Sequence, residues 1–98
     1  MNAWFDDLAV RLTAAARRRG IDIEPPSLSP AVGGELLELA RVAAHTQERR
    51  FAPLASYMAG AAAERVRAGG GDVSPEALSS LIREVREELE REAGEPSA

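Results

Sequence analysis

Ninety-eight residues are enough for one hydrophobic core and too few for two, because a chain of this length buries roughly 60 to 65% of its unfolded surface. With 45% hydrophobic and 29% charged residues it has the apolar content of a folding domain, and with no Cys it has no disulfide, thiolate metal ligand or Cys nucleophile. The net charge of −4 belongs to the C-terminal part, since seven residues of each sign precede Ala61 while five basic and nine acidic residues follow it.

Apolar spacing is helical throughout, and no stretch alternates with period two for more than a few residues. The first helix is predicted from about Ala3 to Arg19, with Trp4, Phe5, Leu8, Leu12 and Ala15 or Ala16 on one stripe and Asp6, Asp7 and Arg11 facing away. Gly20 ends it. Asp6 and Asp7 at its start and Arg17, Arg18 and Arg19 at its end match the helix dipole. Pro25-Pro26 excludes helix from the next segment, so Ile21 to Pro30 reads as a semi-rigid connector tethered by Ile21, Ile23 and Leu28. The second helix begins between Ser29-Pro30 and Glu35 and continues to about His45. Its apolar residues Leu36, Leu37, Leu39, Ala40, Val42, Ala43 and Ala44 cover more than a third of the circumference, so burial on more than one side is expected.

The third helix is predicted from Ala52-Pro53 to about Ala68, with Leu54, Ala55, Met58, Ala61, Ala62 and Val66 facing inward and Gly69-Gly70-Gly71 as its stop. Its many small residues allow another helix, naturally the second, to approach closely. The fourth opens with Ser74 as N-cap, Pro75 at the first helical position and Glu76 in the first turn. It places Leu78, Leu81, Ile82, Val85 and Leu89 on one seam, and it offers Arg83–Glu87 and Glu87–Arg91 as outer i,i+4 pairs. Trp4, Phe5, Phe51 and Tyr57 are assigned to the core. The expected fold is all-α, a compact four-helix bundle of roughly up-down-up-down type with a proline-rich connector between the first two helices. It forms a single domain over residues 1–94, with a frayed tail at 95–98.

The densest polar group lies at the corner between the second and third helices, in Arg41, His45, Glu48, Arg49 and Arg50. Arg41 and His45 share a helix face at i,i+4, so together with Glu48 and Arg49 they are the candidate residues for a small anionic ligand. The same residues also suit helix ends, Arg41 and His45 at the carbonyl end of the second helix and Glu48 at the amide end of the third, and dipole logic favours that account. One His, no Cys and no Glu-x-x-His pair give no metal centre. Gly69-Gly70-Gly71-Asp72 follows a helix and precedes no Lys, so it is read as a turn and not as a phosphate loop. No serine has a base beside it, and no catalytic residue or cofactor is assigned. A pI near 5.0 and only four aromatic residues argue against nucleic acid. The longest uncharged run, Phe51 to Ala63, is about seven residues short of a ~20-residue membrane span, and Asp6 and Asp7 are foreign to a signal peptide, so a soluble, cytoplasmic protein is expected. Leu37, Leu39 and Val42 cannot all face one neighbour, which makes them the candidate contact for a partner protein or a second copy.

Leu36-Leu37-Glu38-Leu39-Ala40-Arg41, Ala44-His45, Glu48-Arg49, Ala52-Pro53-Leu54 and Tyr57-Met58-Ala59-Gly60 together resemble the signature of a small bacterial helical domain of unknown function, found alone or fused to molybdenum cofactor guanylyltransferase-like proteins. The likeness covers about Leu36 to Gly60. It implies a non-catalytic accessory or docking module in molybdenum cofactor biosynthesis, with a molybdenum cofactor guanylyltransferase-like protein as partner. It carries no catalytic residues over to this chain. The alternative is a small anionic-metabolite or nucleotide site at the corner formed by Arg41, His45, Glu48 and Arg49.

Overall fold

A computed structural model describes residues 3–94, and among them it contains four α-helices and no strand: α1 (Ala3–Arg18), α2 (Pro30–Thr46), α3 (Phe51–Ala68) and α4 (Pro75–Glu92). The all-α class that the apolar spacing predicts is the class observed. The start of α2, which the sequence leaves open, falls at Pro30, so Gly33 and Gly34 lie inside the helix. The expected fraying of residues 95–98 falls outside the described residues. Contacts group the chain into two compact units, Met1–Pro30 and Ala31–Ala98.

In the first unit, α1 ends where the backbone turns left-handed at Gly20, with φ of 81°. The Gly20 amide donates to the Arg17 carbonyl at 2.9 Å and the Ile21 amide to the Ala16 carbonyl at 3.0 Å, the paired closure of a Schellman motif. Arg19 Nη1 donates to the Ala15 carbonyl at 2.9 Å, so one member of the arginine triplet closes the helix end directly. No residue of α1 is buried. Phe5, Leu8 and Leu12 line a concavity of about 320 Å³ together with Pro26, Ser27 and Leu28 of the connector. Trp4 is 66% exposed and meets Phe5 edge-to-face with ring centroids 5.1 Å apart. Assignment of these two rings to the core is therefore corrected: a single helix and a short extended segment offer too little surface to enclose them. Of the three expected tethers only Leu28 is half-buried, while Ile21 and Ile23 are exposed.

The second unit holds α2, α3 and α4. From Val32 to Thr46 only Gly34, Leu37 and His45 are exposed, so α2 is sheltered around most of its circumference, as its apolar breadth predicts. Leu39 and Val42 of α2 and Ile82 of α4 are the buried hydrophobic residues. The start of α4 is capped as expected. Ser74 Oγ accepts from the Ala77 amide at 3.2 Å, Pro75 occupies the first turn, and Asp72 Oδ1 in turn accepts from the Ser74 amide at 2.9 Å. The end of α3 is a second Schellman closure, with Gly70 at φ 85°, its amide bonded to the Arg67 carbonyl at 3.0 Å and the Gly71 amide to the Val66 carbonyl at 2.9 Å.

Two helix faces differ from the sequence reading. On α4 the buried positions are Ser79, Ile82, Arg86 and Glu90; of the expected seam Ile82 is buried and Leu78 and Leu81 are half-buried, while Val85 and Leu89 are exposed. Arg86 and Glu90 share the buried face because they pair with each other and with charges on α2. On α3 the half-buried residues are mainly small ones, Ala52, Ala55, Ser56, Ala59, Ala61 and Ala63, together with Val66. Leu54, Met58 and Ala62, expected inward, are exposed, as are Phe51 and Tyr57. Small side chains permit close approach of backbones, and a helix that packs by its alanines turns its large side chains outward.

Candidate functional site

Three short segments of backbone build the corner between α2 and α3. The Gln47 amide continues the α2 ladder to the Ala43 carbonyl at 3.1 Å, and Thr46 Oγ1 donates to the Val42 carbonyl at 2.7 Å. The Phe51 and Ala52 amides then take the Glu48 and Arg49 carbonyls at 2.9 and 3.2 Å. Arg50 is the N-cap of α3 and provides no side-chain cap. Two of the four candidate ligand residues, Arg41 and Glu48, are engaged by other side chains here. Arg41 donates Nε to Glu38 at 2.9 Å and Nη2 to Glu90 of α4 at 3.1 Å. Glu48 accepts from Arg50 Nε at 2.7 Å, and His45 and Arg49 are exposed. Arg83, expected to pair with Glu87, reaches Glu35 of α2 instead.

The main polar constellation is therefore an ion-pair ladder between α2 and α4, which the sequence reading did not identify. Glu35 accepts from Arg83 Nε at 3.0 Å and from Arg86 Nε at 3.2 Å; Arg86 Nη1 donates to Glu90 Oε1 at 2.6 Å, and Glu90 Oε2 takes Arg41. Because Glu35 meets Arg83 and Arg86 while Arg41, further along α2, meets Glu90, α2 and α4 run in the same direction. The short turns at either end of α3 make it run back between them. The Glu90 side chain is fully enclosed and that of Arg86 is 5% exposed. Burial alone would lower the Arg86 pKa, but hydrogen bonds to Glu90 and Glu35, with their charges, outweigh it and hold the guanidinium above its ordinary value. Arg41, Arg83 and Arg86 face Glu35, Glu38 and Glu90, three charges of each sign. Its sequence signal was the Arg86/Glu90 i,i+4 pair, which lies to one side of the apolar seam. Beside it Ser79 Oγ is buried without a hydrogen-bond partner.

The candidate partner residues separate as well. Leu39 and Val42 lie in the core, and only Leu37, 72% exposed, reaches the surface. A further apolar surface lies on α3, where Leu54 (60% exposed), Tyr57 (78%) and Met58 (71%) are exposed at helical spacing. They continue into an open, shallow depression beside Tyr57, Gly60, Ala61, Glu64 and Arg65 of the same helix. The i, i+3, i+4 spacing of Leu54, Tyr57 and Met58 was readable in the sequence; its outward direction was not. Among the described residues, no group of three or more His, Asp or Glu is placed to hold a metal ion, and no helix is long and apolar enough to cross a membrane.

Helices closed by glycine motifs, a neutral charge ladder beside a small apolar core and an apolar surface ridge define a small all-α domain. Over residues 1–97 the chain matches the family model described as Domain of unknown function (DUF6457), and it belongs to that family. No curated protein and no solved structure matches it.

Proposed function

We propose that this chain is a non-catalytic protein-interaction module whose docking face is the outward side of α3, centred on Leu54, Tyr57 and Met58. The observation that carries this reading is the direction of α3: alanines are sheltered and the large apolar side chains are left in water, an arrangement that costs hydration free energy until a partner covers them. Leu37 on α2 is a second exposed apolar residue, whereas Leu39 and Val42 support the fold. The partner we assign is a molybdenum cofactor guanylyltransferase-like protein, on the likeness of the Leu36 to Gly60 segment to domains fused to such enzymes.

The test is recovery of the purified transferase-like protein on the immobilised full chain. Leu54→Asp with Met58→Asp should abolish recovery without lowering the thermal midpoint. Unchanged recovery would remove this face from the function. A second reading, a small anionic metabolite or nucleotide at the corner, has His45 and Arg49 as its exposed groups. Titrating guanine nucleotides while following the His45 ring resonances tests it, and a flat response across pH 6 to 8 rejects it.

A further inference from the structure

Resting on the reading of α3 as a docking face, we infer that the partner segment is an acidic amphipathic helix. The chain as a whole carries −4, yet the stretch from Glu48 to Arg67 holds four Arg against two Glu. Both of those carboxylates are already engaged: Glu48 pairs with Arg50 at 2.7 Å and Glu64 with Arg67 at 3.0 Å. Arg49 and Arg65 pair with no carboxylate among the described residues and are exposed. Arg49 lies in the turn just before α3 and Arg65 two turns beyond Met58, so along the chain they flank the ridge formed by Leu54, Tyr57 and Met58.

An occupant that covers the ridge is thus met by an uncompensated positive charge at each end. Carboxylates on its flanks are attracted and ammonium or guanidinium groups repelled. The ridge has helical spacing, and exposed Gly60 beside it, with open space where a side chain would stand, lets a second helix backbone come close. A second copy fits poorly in either direction. An antiparallel α3 pair sets Arg49 against Arg65, and a parallel pair sets each of them against itself.

Two synthetic helical peptides test this inference, identical in a Leu stripe at i, i+3, i+4 and i+7 and flanked by Glu in one and by Lys in the other. Titrated into the isotope-labelled full chain, the Glu peptide should bind and shift amides between Leu54 and Arg65, and the Lys peptide should not bind. Arg49→Glu with Arg65→Glu should weaken the Glu peptide by roughly tenfold or more at low salt while leaving the thermal midpoint in place. Equal binding of both peptides, or shifts that map outside α3, would overturn the inference. So would a concentration-dependent dimer abolished by Met58→Glu, which would give the face to a second copy. The broader reading fails separately. If the transferase-like protein is lost with Leu54→Asp and Met58→Asp but not with Arg49→Glu and Arg65→Glu, docking stands and the acidic helix does not.

Discussion

Glu90 is an anion with no contact with solvent, and two guanidinium groups hold it, Arg86 at 2.6 Å and Arg41 at 3.1 Å. Removing Glu90 leaves the buried Arg86 with only the Glu35 carboxylate that it shares with Arg83, so Glu90→Ala should cost about 3 kcal/mol in urea unfolding. Arg86→Met with Glu90→Leu removes both charges, and that double variant should unfold close to the wild-type midpoint. Ser79 is the opposite case. Its buried hydroxyl has no hydrogen-bond partner, so Ser79→Ala should raise stability by roughly 1 kcal/mol, through lost desolvation cost and better helix propensity. Glu64 sits on the surface, where its hydrogen bond from Arg67 lowers its pKa against a small opposing effect of burial, with the Arg67 charge adding to the lowering. A lowered carboxylate stabilises the fold at neutral pH and loses that contribution as pH falls through the lowered value. Full exposure makes the contribution small, and Glu64→Gln should leave the acid unfolding curve almost unchanged.

At the scale of elements, the helix ends were the most legible features of the chain. Ser74, Pro75 and the glycines at 20 and 69 to 71 act on neighbours within five residues, and they perform in the structure the roles their types suggest. Ser74→Ala should therefore cost about 1 kcal/mol through loss of the bond to the Ala77 amide. Gly70→Ala should cost about 1 kcal/mol as well, because φ of 85° is unfavourable for a residue with a Cβ atom. Helix faces were less legible. Leu54 and Met58 look inward by hydrophobicity alone, but Ala52, Ala55, Ala59 and Ala63 form an alternative stripe on α3, and the close approach that alanine allows prevails. On α4 the apolar seam was visible, but Arg86 and Glu90 beside it are buried because their countercharges lie on another helix.

For the molecule as a whole, few hydrophobic residues are buried, namely Leu39, Val42 and Ile82 among those described, while many large ones are left exposed. A partner that covers part of that surface binds the folded state alone and raises its stability, by about 2.7 kcal/mol at a hundredfold excess over Kd. Thermal unfolding of the chain with its partner should accordingly shift upward with partner concentration, and the shift should vanish in the Leu54→Asp, Met58→Asp variant. By itself the sequence determined the all-α class, the four helices, the Ser74 cap of α4 and the glycine stops of α1 and α3, because helical hydrogen bonds and capping bonds join residues a few positions apart. Only the tertiary structure decided that Arg41 reaches Glu90 on another helix, and that Leu39 and Val42 are core while Leu37 and the α3 ridge meet solvent. Those outcomes depend on groups as distant in sequence as Glu35 and Arg83, and on which helix surfaces can come closest. Periodicity along one helix carries no information about either.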